Sequence, residues 1–161
     1  MQLVKIRDYN MEDWPAIEVM IRTNPNLQQI ILEHEKKLIN LYVQQHDFGK
    51  ILVALEGSSN AIIGYEIIRY YRNSAIVESI VVDTRFQNKG VGGQLLEFAK
   101  KLGYLESPNI QVLRVAVPED NNNAVKFFLN SNFVITGYIK SDHSWYNNNI
   151  HLAFPLIDTT F

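Results

Sequence analysis

Gln87, Gly90, Gly92 and Gly93 form the segment of this chain with the clearest chemical reading. They follow an apolar, β-branched run from Ala75 to Val82 and precede Val91, Leu95, Phe98, Ala99 and Leu102, which recur at helical spacing. The pattern predicts a strand, a glycine-rich turn and the start of a helix. A helix start presents backbone N–H groups that have no partner inside the helix, together with the positive end of its dipole. Glycines keep side chains out of the way of an approaching anion, so the expected ligand carries a phosphate or pyrophosphate. Two common phosphate patterns do not fit. The only Gly-Lys pair, Gly49-Lys50, has Gln44 where a P-loop needs its first glycine and Ile51 where it needs a hydroxyl. Counted from Gly90 and Gly92, the third glycine of a dinucleotide fingerprint falls on Leu95.

Two further groups could do chemistry. Glu78 is the only charged residue between Ala75 and Val82. Near neutral pH an amine is mostly protonated and must lose a proton before it can attack. A carboxylate in an apolar cleft can take that proton. Glu78 can equally bind a cation or face solvent. Downstream, a second apolar run, Ile110 to Val117, leads into Asn121-x-x-Ala124, then Phe128, Asn132 and Phe133. Asn121 is also a natural helix N-cap.

Gln87-x-x-Gly90-x-Gly92 between a strand and a helix resembles the acetyl-CoA signature of the GNAT superfamily of N-acetyltransferases. The downstream segment resembles that family's Asn-x-x-Ala-x-x-x-Tyr-x-x-x-Gly-Phe pattern, with Phe128 in place of the tyrosine and Asn132 in place of the glycine. The resemblance implies an α/β (α+β) fold over nearly the whole chain, a single domain spanning residues 1–161. Its mixed central sheet of about seven strands would be flanked by about four helices. The parallel central strands, 75–82 and 110–117, would splay apart to admit the pantetheine arm. Pyrophosphate would lie on the backbone of Gln87, Asn88, Lys89, Gly90, Val91, Gly92 and Gly93, with Arg85 and Lys89 adding charge. Ile80, Val81, Val82, Asn121 and Phe128 would complete the acetyl-CoA site. Glu78 would act as general base or amine-binding group.

The activity so implied is transfer of an acetyl group from acetyl-CoA to a primary amine. No cysteine occurs, so an acetyl-cysteine intermediate is excluded and direct attack in a ternary complex is expected. Phenylalanine has no proton to give, so Phe128 cannot replace the tyrosine that protonates the departing thiolate. Tyr138 and Tyr146 are other tyrosines of the closing strands. The loss of that tyrosine also keeps open a CoA-binding domain that does not catalyse efficiently.

The elements that must position these residues follow in the order β-α-α-β-β-β-α-β-α-β-β. Asn10 is a candidate cap for a first helix from Glu12 to Arg22 with Trp14, Ile17, Met20 and Ile21 on one face. After Asn24-Pro25-Asn26 a second helix reaches about residue 46 and carries Leu27, Ile30, Ile31, His34, Leu38, Leu41 and Tyr42. With 161 residues, 47% hydrophobic and a net charge of −2, the chain favours neither nucleic acid nor an anionic membrane as partner. No run suits a membrane span, and Met1 to Asp8 lacks a signal-peptide core, so a cytoplasmic location is expected. His34, His46, His143 and His151 lack ligand-like spacing, and no metal is expected. The apolar stretch Ile150 to Phe161 permits a homodimer.

Overall fold

The computed structural model describes residues 4–25, 27, 29–105, 109–141 and 148–156. Its elements are β1 (Val4–Asp8), α1 (Trp14–Thr23), α2 (Gln29–Gln44), β2 (Gly49–Glu56), β3 (Ile62–Tyr71) and β4 (Ser74–Val82), then α3 (Val91–Leu105), β5 (Val112–Pro118), α4 (Asn122–Asn130), β6 (Val134–Ile139) and β7 (Asn149–Pro155). The order is the one read from the sequence. The seven strands form one sheet in the order β1-β2-β3-β4-β5-β7-β6. Every neighbouring pair is antiparallel except β4 and β5. No helix among the described residues is long and apolar enough to cross a membrane.

Alternation along the strands buries one set of side chains on each face. Leu52, Ala54, Ile68 and Val77 pack with Leu95 and Leu96 of α3 and Phe128 of α4. Val53, Tyr65, Ile67 and Val81 pack on the opposite face with Ile17 and Met20 of α1 and Leu32 and Ile39 of α2. The sheet is thus a wall with α3 and α4 on one side and α1 and α2 on the other.

Local signals fix the elements. Asn10 caps a short turn at 11–13 by accepting from the Glu12 N–H at 3.1 Å, and Asp13 accepts from the Asn10 N–H at 2.7 Å. At the end of α4 the Phe133 N–H reaches the Phe128 carbonyl at 3.1 Å and the Asn132 N–H reaches Leu129 at 3.0 Å. This closure needs a left-handed residue, and Asn132 supplies it at φ 65. The substitution of Asn for Gly therefore keeps the helix end.

Helix α2 differs from the sequence reading in rotation. Among its described side chains Leu32, Glu35, Ile39 and Tyr42 are buried, whereas His34 and Leu41 are exposed. The stripe includes a glutamate, which an apolar count passes over.

Gly49 opens β2 against the Tyr42 ring. A Cβ there would stand 2.6 Å from the Ile68 carbonyl oxygen and 2.8 Å from the ring. Backbone cannot yield easily, so Gly49→Ala should destabilise the fold by about 1–3 kcal/mol in urea unfolding. A loss below about 0.5 kcal/mol would show that Tyr42 simply moves aside.

Candidate active site

Strands β4 and β5 pair only from Ser74↔Val112 to Val77↔Val115. Beyond that point Ser79 to Val82 stay with β3, while Ala116 to Pro118 stay with β7. A gap therefore opens in the middle of the sheet. The divergence begins at Glu78, which is skipped by the register between Ile68↔Val77 and Ile67↔Ser79. An extra residue of this kind bends and twists its strand. The gap forms a cavity of about 180 Å³ touched by Glu78, Ser79, Ile80, Val117, Asn121 and Phe128.

A second cavity, of about 480 Å³, lies at the C-terminal end of β4. Ile80 and Val82 form one wall, Phe127 and Phe128 another, and the turn from Gln87 to Gly93 its rim. The Gln87 amide donates to the Val82 carbonyl at 3.0 Å and ties the turn to the strand. Asn88 and Gly90 both have left-handed backbones, at φ 60 and 84. The first hydrogen bond of α3 runs from the Gln94 N–H to the Gly90 carbonyl at 3.1 Å. The N–H groups of Val91, Gly92 and Gly93 precede it, and Gly90 has no side chain to cap them. A Cβ on Gly92 would touch Phe127 at 3.5 Å, so a longer side chain would occupy the cavity. The three N–H groups, the helix dipole and the glycine clearance suit an anion.

The geometry brings together most of the residues singled out from sequence. Ile80, Val82, Gln87, Asn88, Gly90, Val91, Gly92, Gly93 and Phe128 all line the larger cavity, and Asn121 lines the gap. Val81 points its side chain into the opposite core, 8% exposed. Lys89 lies over the Phe86 ring at 5.1 Å. Arg85 is held by Asp83 at 2.7 Å and is largely exposed.

A family model for the acetyltransferase (GNAT) domain matches residues 47–135, more than half of the chain. The chain belongs to the GNAT acetyltransferase family. Solved structures agree on the fold. A GNAT-family protein from Desulfovibrio desulfuricans superposes with a TM-score of 0.83 at 13% identity, covering 96% of this chain and 100% of that one. The ribosomal-protein-S18-alanine N-acetyltransferase of Escherichia coli gives 0.74 at 17% identity, with 99% of each chain covered. The spermidine N-acetyltransferase of Vibrio cholerae, solved with CoA and spermine, gives 0.73 at 16% identity, with 95% of each covered. No curated protein matches the chain in sequence.

Within this GNAT domain Glu78 is half-buried and ion-paired with Arg69 of β3. That contact raises the Arg69 pKa. The pairing partner is not visible in sequence because Arg69 and Glu78 meet only across the β3–β4 register. A second carboxyl, Glu35 of α2, lies 3% exposed on the same face of the sheet. Burial pushes its pKa up, against the nearby Ser79 and Tyr65 hydroxyls, which favour the charged form. Sequence reasoning missed Glu35; the signal was a charge recurring with Leu32, Ile39 and Tyr42 on one helical stripe.

Asn121 caps α4, its side chain accepting from the Ala124 N–H at 3.1 Å, while also facing the gap. Phe128 is 3% exposed and stacks edge-on with Phe127 and Phe133. Tyr138, on exposed β6, donates to Glu119 at 2.8 Å. Tyr146 and His143 lie outside the described residues. Among the described residues no group of three His, Cys, Asp or Glu is placed to hold a metal.

Proposed function

We propose that this GNAT domain is an N-acetyltransferase that moves an acetyl group from acetyl-CoA to a primary amine by direct attack in a ternary complex. The observation that carries this reading is the gap between β4 and β5, continuous through Ile80 and Phe128 with the uncapped start of α3. An anion cradle at one end and an apolar slot at the other match a pyrophosphate followed by a pantetheine arm. When bound, acetyl-CoA supplies the acetyl group as a thioester. The backbone from Gln87 to Gly93 would hold the pyrophosphate. Ile80, Val82, Asn121 and Phe128 would hold the arm and exclude water. Glu78, at the rim of the gap, would draw in the cationic amine.

Calorimetry with acetyl-CoA, ATP and NAD tests the first half of this reading, and thiol release in the presence of an amine panel tests the second. The panel includes spermidine and an alanine-initiated peptide, because two structural neighbours act on such amines. Binding of acetyl-CoA alone, with thiol release on adding an amine, is expected. Failure to bind acetyl-CoA overturns the proposal. Glu78→Gln should lower kcat/KM for the amine by at least about tenfold while acetyl-CoA affinity stays within about twofold. An unchanged kcat/KM would remove Glu78 from the site.

Phe128 favours a second reading. Its buried, hydroxyl-free ring leaves no acid at that position, as in a domain that binds CoA or acyl-CoA without efficient transfer. Tight acetyl-CoA binding without turnover across the panel would select it. A thiolate can also leave without a dedicated acid when its pKa is near that of a free thiol, about 8.5.

A further inference from the structure

On the α2 side of the gap, buried polar groups converge around Glu35. Glu35 Oε2, the Tyr65 hydroxyl and the Tyr42 hydroxyl are shielded from solvent and lack a hydrogen-bond partner among the described residues. Such groups are rare in folded proteins and costly to maintain. Here all three sit over the stretch of β3 and β4 that flanks the Glu78 bulge. Tyr65 pairs in register with Val81, and Ser79 with Ile67, so both hydroxyls project to the α2 face. Ser79 also borders the gap itself. Among the described residues it is the one hydroxyl that touches both the gap and the neighbourhood of Glu35. Glu78, by contrast, is already engaged by Arg69.

We propose that Glu35 is the terminal proton acceptor for the incoming amine, reached through the Ser79 hydroxyl. The proposal rests on reading the site as an amine acetyltransferase. An ammonium N–H gives its proton to the Ser79 oxygen as the Ser79 proton passes to Glu35. The amine is left neutral with a free electron pair, the serine is unchanged, and Glu35 becomes a neutral carboxylic acid. Burial favours that neutral product, which is why a carboxyl behind the sheet suits the task better than an exposed one. The titratable and charged groups bearing on Glu35 are Tyr65 from β3, Glu78 from β4 and His34 on its own helix. Ser79 touches the substrate; Glu35 acts through it as a positioning residue.

Glu35→Gln and Ser79→Ala test the relay, with spermidine and an alanine-initiated peptide as acceptor probes. In Glu35→Gln, kcat/KM should fall about 100-fold and the acidic limb of its pH profile should disappear, while acetyl-CoA affinity stays within about twofold. A structural role alone would leave the pH profile in place. Infrared difference spectra supply a readout independent of turnover. The protonated-carboxyl band missing from Glu35→Gln should titrate above the usual glutamate value of about 4.3, and higher still in Ser79→Ala. Adding spermidine to CoA-loaded protein should strengthen that band. If the wild type acetylates a probe and Glu35→Gln keeps its rate and pH profile, the inference is overturned. If the wild type binds no acetyl-CoA, the function reading falls instead. The spectra then still decide: a Glu35 midpoint in the ordinary range, indifferent to Ser79→Ala, sinks the relay.

Discussion

Gly92→Glu should abolish acetyl-CoA binding and leave a protein at least as stable as the wild type. The two effects separate because of where the Cβ goes. It meets Phe127 at 3.5 Å and Val82 at 3.6 Å, which is ordinary contact, so the backbone need not move. Replacing a glycine inside a helix gains up to about 1 kcal/mol, and a carboxylate in the first turn adds about 0.3–1 kcal/mol through the dipole. The rest of the side chain extends into the cavity between α3 and α4. Its charge takes up the dipole that the pyrophosphate would otherwise use. A loss of affinity beyond about 100-fold, or about 2.8 kcal/mol, is expected in calorimetry, with an unchanged or raised urea midpoint. Gly137→Ala on β6, away from both cavities, is the control, since its Cβ also meets nothing within 4 Å. Affinity in Gly92→Glu within about threefold of the wild type would mean that the ligand does not lie on this turn.

The second large effect is on stability and comes from the other side of the sheet. Glu66 of β3 is fully buried, and neither carboxylate oxygen has a partner among the described residues. It lies between Leu52 and Ile80 in the register, facing α3. Burial raises its pKa from 4.5 to about 8. Below pH 4.5 the carboxyl is protonated whether the chain is folded or not, so it imposes no penalty. Between 4.5 and 8 the folded protein holds a proton that the unfolded chain releases, so stability falls as pH rises. Above 8 the full penalty applies, on the order of 5 kcal/mol. Urea unfolding at pH 5 and pH 8.5 should show a steep loss in the wild type and a much smaller one in Glu66→Gln. Parallel pH dependence in the two proteins would mean that Glu66 finds a partner or water and ionises normally.

These carboxylates show where sequence reading stops. Glu78 stood out because it interrupts an apolar strand, and the turn because glycine spacing reports backbone geometry directly. Asn121 and Asn132 were legible for the same reason: capping and left-handed closure are local events set by a few neighbouring residues. Glu35 was hidden by a rotation of α2 relative to its apolar count. Which stripe of a helix faces inward depends on the sheet it meets, and Glu35 gains its meaning from Tyr65 and Ser79, 30 and 44 positions away in the chain. Glu66 could not be told from Arg69, the other charge of β3, because alternation does not say which face lies beneath α3.

The order of the elements, the strand–turn–helix whose geometry suits an anion and the family were determined by the sequence alone, because each rests on short-range periodicity or on residues with special backbone freedom. Tertiary structure decided the rest. It paired Glu78 with Arg69, parted β4 from β5 at an unpaired residue, and gathered unsatisfied hydroxyls around a buried carboxyl. Those outcomes depend on strand register and helix rotation, which are settled by packing between segments far apart in the chain.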